Sequence, residues 1–145
     1  MTSEQRDRYY LEVVSPRLLH LGGRICEATG IYDDVLAEVA YQELVRFYDE
    51  QVSAGYWHPS FTESVGDYTH DAPAALVYYR RALNEARELH EQTHSILICM
   101  AKRLFELRQP EQAEACLREG RAEAVRRGDD HYVEVADRIL HETSA

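Results

Sequence analysis

The sequence has no apolar run long enough to cross a bilayer. Its longest, "SILICMA", falls far short of the roughly 20 residues that a spanning helix needs. The chain does not open with a basic stretch followed by an apolar one, so no secretory signal is expected. Cysteine is scarce. Cys26, Cys99 and Cys116 are odd in number, scattered, and each set in an apolar helical pattern. That usage predicts reduced, buried thiols rather than a disulfide framework, and with the missing signal it places the protein in the cytoplasm. Basic charge is also short, with 16 basic residues against 26 acidic ones. A nucleic-acid binder shows the opposite balance, because its affinity comes from neutralising phosphates. The sequence offers no glycine-rich loop to cradle a phosphate and no convincing strand-like alternation.

What remains is ample material for a core. The 145 residues are 45% hydrophobic and include ten tyrosines and one tryptophan, which argues for one folded domain, 1–145, and against disorder. The acid is unevenly placed. Residues 1–70 carry 12 acidic and 5 basic groups, whereas residues 71–145 carry 14 and 11. The front half therefore presents either a negative field that attracts a basic partner or a solvated, solubilising surface.

Helical periodicity dominates and predicts an all-α fold of about seven antiparallel helices. A first helix is expected over Ser3 to Val14. Ser15-Pro16 then reads as a cap and first helical position for a second helix running to Thr29. Gly22-Gly23 inside it marks a kink or a close helix contact. Asp33 or Asp34 caps a third helix, and Gly55 ends it. Residues 56–71, rich in Tyr56, Trp57, Phe61 and Tyr68, are expected to form an aromatic loop folded onto the body, with a single turn at Ser60 and Glu63. Residues 72–145 divide into four helices: Asp71/Pro73 to Leu89, Ser95 to Arg108, Pro110 to Arg127, and Asp130 to His141. Asp33-Asp34 and Asp129-Asp130 are helix caps rather than paired catalytic acids.

A spacing recurs in the back half. Leu97, Met100, Ala101 and Leu104 are followed nine residues later by Ala113 and then by Leu117. Tyr132, Val135, Ala136 and Ile139 reproduce the first pattern 35 residues after Leu97. Upstream, "AALVYYRRAL" sets Ala75, Tyr79 and Ala82 at the spacing of a second helix. Over residues 73–141 the chain resembles the tetratricopeptide repeat, whose length is about 34 residues. It departs from that pattern in having leucine at 97 for the signature tryptophan, alanine at 101 for glycine, and Gly120 for alanine. Tyr41, Leu44, Val45 and Tyr48 supply a candidate first helix for the upstream repeat, provided the aromatic loop is an 18-residue insertion. The resemblance implies an α-α superhelix of stacked hairpins with a polar last helix.

One motif points elsewhere. "ELHEQTHSIL" contains His90-Glu91-x-x-His94, the pattern by which zinc hydrolases hold a metal between two histidines one helical turn apart. Glu111 or Glu114 is the available third ligand, but Glu88 stands where such motifs favour an uncharged residue. The repeat spacing places these letters in a bend between helices, where metal geometry would be lost. The expectation is a protein without enzymatic activity, metal or cofactor, with the zinc hydrolase as the alternative.

Two surfaces are candidates for a partner. The resemblance implies a concave groove lined by first helices, showing Ser95, Ile98, Lys102, Phe105 and Glu106, then Val133 and Asp137. Ile98 and Phe105 would form an exposed apolar stripe there, unless the N-terminal helices cover it. The second surface is an acidic aromatic front of Tyr41, Tyr48, Tyr56, Trp57 and Tyr68 beside Asp33, Asp34, Glu43, Asp49 and Glu50. The expected partner is another protein with a basic surface, not a nucleic acid or a membrane. Size and charge are shared with immunity proteins that neutralise toxins and with chaperones of secreted proteins.

Overall fold

A computed structural model describes residues 1–144 of the chain, and it is all-helical, with no strand among those residues. The elements are α1 (Ser3–Tyr9), a π-helical stretch (Tyr10–Val14), α2 (Ser15–Gly30), α3 (Asp34–Ser53), α4 (Pro59–Tyr68), α5 (Ala72–Glu88), α6 (His94–Glu106), α7 (Pro110–Arg127) and α8 (Asp130–Thr143). The first three are one continuous rod, which makes seven helices among the described residues.

The expected break at Ser15-Pro16 does not occur. A proline inside an α-helix lacks an N–H donor, and its ring meets the carbonyl four residues back. Here the rod widens to π register just before it, and the Ser15 N–H donates to the Tyr10 carbonyl five residues back. The extra residue in that turn lets the helix pass the proline without ending.

The expected aromatic loop is likewise a helix. His58 caps α4 by accepting the Ser60 N–H on Nδ1 at 3.1 Å, and Pro59 opens the helix with φ already set. Thr62 and Gly66 are weak helix formers, so local propensity hides the element. Its stability is tertiary. Phe61 and Val65 are buried against Leu44 and Tyr48 of α3, in a cluster that also holds Val14, Leu18, Leu21 and Ile25 of the rod. α4 therefore pairs with α5 as the first helix of that hairpin, the place expected of α3.

Helices pair as successive hairpins, α2/α3, α4/α5 and α6/α7, with α8 packed on the last. Glu63 meets Ser95 and Thr69 meets Arg103, so α4 and α6 run parallel. The core follows this arrangement. A second cluster joins α5, α6 and α7 through Ala75, Tyr79, Leu97, Met100, Leu104 and Ala113. A third joins α6, α7 and α8 through Ile98, Ala101, Leu117, Ala136 and Ile139. Small residues set the closeness. A Cβ on Gly120 would lie 2.9 Å from Ile98 Cγ1 and 3.1 Å from the His94 carbonyl oxygen. A Cβ on Gly22 would strike the Tyr68 ring, so the close contact foreseen at Gly22-Gly23 is made by Gly22 with α4.

Five helices end in the same way. Tyr32, Gly55, His90, Arg108 and Gly128 each have positive φ. Each donates its N–H three residues back, and the next residue donates five back: Asp33 to Ala28, Tyr56 to Gln51, Glu91 to Ala86, Gln109 to Leu104 and Asp129 to Ala124. This is the Schellman C-cap, in which two orphan carbonyls are satisfied by one left-handed residue. Glycine takes that conformation freely, whereas a side chain there costs about 1–2 kcal/mol.

Candidate functional site

The left-handed cap settles the geometry of the His-Glu-x-x-His letters. α5 stops at Glu88, His90 is the positive-φ residue of its cap, and α6 starts at His94. The two histidines do not share a helix. His90 is exposed, while His94 is 1% exposed and makes a 2.8 Å hydrogen bond through Nε2 to Asp129, the N-cap of α8. Its ring stands nearly perpendicular to that of Tyr132. Glu123 of α7 accepts from the Thr93 hydroxyl at 2.8 Å and from its backbone N–H. The residues around His94 therefore lock the α5–α6 turn onto α7 and α8, and the one-face pairing a zinc hydrolase needs is not formed at 90–94.

A different trio meets the distance requirement for an ion. Asp7, His58 and Glu91 each bring one ligand atom within 4.8 Å of the others. The histidine chemistry fits a metal poorly. Nδ1 of His58 accepts the Ser60 N–H, so a neutral ring carries its proton on Nε2, which faces Asp7 Oδ1 at 3.1 Å. Burial lowers the His58 pKa, against the Asp7 hydrogen bond and the Glu91 charge that raise it. An ion on Nε2 would force that proton onto Nδ1 and break the cap of α4. With Tyr10 stacked on the imidazole, the trio ties the start of α4 to the N-terminal rod.

The acidic aromatic front is turned inward. Tyr48 and Tyr56 are core residues, and Tyr41 and Trp57 are half-buried. The Tyr56 hydroxyl donates to the Arg6 carbonyl at 3.1 Å, Tyr41 shares a 2.7 Å bond with Thr69, and Arg6 stacks on Trp57. Once α4 forms, it covers the aromatic face of α3. The apolar stripe is corrected in the same way: Ile98 is fully buried under α7 and α8, and Phe105 packs against two core clusters. Cys26 is exposed, and Cys99 and Cys116 are half-buried. Val133 is half-buried, and Asp137 is paired with Arg121 at 2.7 Å.

One face of α4 and α6 does gather polar groups. Glu63 and Asp67, one turn apart on α4, face Ser95 and Cys99 on α6, with Lys102 and Glu106 exposed further along that helix. The Ser95 hydroxyl reaches both Glu63 oxygens, at 2.7 and 2.9 Å, and Tyr79 donates to Asp67 at 2.7 Å. Burial pushes the Glu63 pKa up to about 7, against the Ser95 bond that lowers it. Surrounding protein from α5 and α6 raises Asp67 as well, although the residue is exposed and the Tyr79 bond and the Arg103 charge pull the other way. Cys99 is pushed up to about 12 by burial and by these two carboxylates, and Tyr132 of α8 is raised mainly by burial and also by all three groups. Neither carboxylate belongs to an ion pair among the described residues. Sequence reading placed Ser95, Lys102 and Glu106 on this face but missed Glu63 and Asp67. Their i, i+4 spacing is visible in the sequence, but it means something only once residues 59–68 are read as a helix.

No protein-family model, curated protein or solved structure matches the chain.

Proposed function

We propose that this protein is a non-catalytic binding module that holds a basic segment of another protein against the α4–α6 face. The observation that carries the reading is the pair Glu63 and Asp67, two carboxylates on one face with hydrogen-bond donors but no ion-pair partner among the described residues, the neighbouring Arg103 being held by the Thr69 and His70 carbonyls and by Glu106. Desolvating carboxylates without a counter-charge costs stability, and such groups concentrate where a ligand supplies the missing charge. A lysine or arginine side chain would do so, and the excess of acid across the chain would steer it. Lys102, Glu106 and Val133 would flank the contact.

Supporting a tetratricopeptide-like architecture are the offsets between neighbouring helices. Glu63 and Ser95 are 32 residues apart, Thr69 and Arg103 are 34 apart, and His94 and Asp129 are 35 apart, near the family's period of about 34. Such modules act by stoichiometric capture, as in a cytoplasmic immunity protein that neutralises a basic toxin or a chaperone that holds a secreted cargo. Co-purification from the native cell with wild type and with Glu63→Gln/Asp67→Asn tests the reading. The partner should be basic and lost from the double variant while helicity by circular dichroism is unchanged. Equal capture by both would remove this face from the function.

A further inference from the structure

A second surface lies on the outer end of the first hairpin. Ile31 and Tyr32 in the α2–α3 turn and Val35, Leu36 and Val39 on α3 are all exposed, Tyr32 at 91% and Val35 at 76%. Val35, Leu36 and Val39 form a stripe within about one turn of each other on the same side of α3, and Tyr32 stands in the turn just before the helix. None belongs to a core cluster. The two ends of the hairpin stack differ here: the stripe leaves the first hairpin with an apolar edge, whereas α8 at the other end is mostly exposed and polar. Stacked hairpins ordinarily end in polar faces. Tyr32 adds an independent sign. It occupies the left-handed cap position, which suits glycine, and projects an aromatic ring into solvent. Strain and exposure at one residue are both unfavourable to the free fold.

The charge around the stripe says what covers it. Glu27, Asp33, Asp34 and Glu38 are exposed beside it, and the nearby Arg24 is already taken by Glu43. A second copy docked by two-fold symmetry would set these carboxylates against their own kind, and an anionic membrane would be repelled. We infer that this stripe is a docking surface for an amphipathic helix of another protein, apolar on one face and flanked by lysine or arginine, with Tyr32 as its anchor. Such a helix would lay its apolar side along Val35 and Val39 and its basic flanks against the carboxylates. The surface shares no residue with the α4–α6 face, so the two could be occupied together.

The test uses a fluorescent amphipathic peptide with a leucine face and lysine flanks, and the same peptide with glutamate flanks. Anisotropy is read on the full chain at physiological salt. The lysine peptide should bind wild type at least tenfold tighter than the glutamate peptide. Tyr32→Gly and Val35→Ser/Val39→Ser should each lose about tenfold, and Glu63→Gln/Asp67→Asn should lose little. Tyr32→Gly should also melt higher than wild type, because glycine relieves the cap, so its lost binding cannot be ascribed to misfolding. Four results would overturn the proposal: no preference for lysine flanks, unchanged binding to the Tyr32 and Val35/Val39 variants, a wild-type dimer in sedimentation that Val35→Ser/Val39→Ser dissociates, or phosphatidylserine vesicle binding that needs the same residues.

Discussion

Ser95 donates its hydroxyl to both oxygens of Glu63, at 2.7 and 2.9 Å, across the interface between two helices that start 35 positions apart in the chain. A neutral hydroxyl is the strongest donor Glu63 has, and it does not replace the water lost on burial. The carboxylate therefore sits in the fold as an acid that ionises late, and its protonation is tied both to stability and to what the face can bind.

Replacing Glu63 with glutamine should stabilise the protein in a pH-dependent way. The carboxyl titrates near its ordinary 4.5 when unfolded and at about 7 when folded. Between those values the folded state holds a proton that the unfolded state has released. Stability from this group is thus complete below pH 4.5 and falls as pH rises to 7. Glu63→Gln should gain up to about 3 kcal/mol over wild type at pH 8 and little at pH 5. Urea unfolding at both pH values measures it, and a difference independent of pH would contradict the assignment.

Capture of a basic partner on the α4–α6 face should strengthen with pH over the same window. A cation prefers the ionised carboxylate, so wild type binding at pH 6 must first expel a proton from Glu63. Calorimetry in two buffers of different ionisation enthalpy should show proton release at pH 6 and almost none at pH 8. Raising salt should weaken binding at pH 8. Proton uptake at pH 6 would mean the ligand is not a cation at this carboxylate.

Glycines in two places should answer oppositely to alanine. Gly120→Ala sets a Cβ within 2.9 Å of Ile98 Cγ1 and against the His94 carbonyl, and should destabilise by about 1–3 kcal/mol despite better helix propensity. Gly23→Ala meets nothing within 4 Å and should stabilise by about 0.5–1 kcal/mol. Thermal melts of the pair check the packing of α6 on α7. A stabilising Gly120→Ala would show that the two helices are further apart.

The two histidines of the metal-like motif should behave as a cap and a buried bridge. His90→Gly relieves a left-handed side chain and should stabilise by up to about 1 kcal/mol. His94→Ala removes the partner of Asp129 and leaves a gap at a site 1% exposed, and should cost about 2–4 kcal/mol. If the motif instead held zinc, both changes would release a bound ion and neither would stabilise.

Much of this molecule is local and therefore readable along the chain. Asp33, Asp71 and Asp129 each accept an N–H three residues on, and the breaks before Pro110 and after Gly128 fall where the residues predict them. The bend at His90 is equally local, because its cap is closed by hydrogen bonds that reach back only three and five residues. These interactions reach across four or five residues, and residue identity alone decides them. The hidden helix α4, the uninterrupted rod through Pro16 and the fate of the aromatic residues are different. Tyr48, Tyr56 and Ile98 look like contact residues until α4, the N-terminal rod and α8 are laid over them, and Glu63 looks like an ordinary surface acid until α6 arrives beside it. The sequence alone determined an all-helical chain, its caps and most of its turns. Only the tertiary structure decided which face of each helix meets water, because burial depends on helices brought together from tens of residues away and not on the preferences of any single segment.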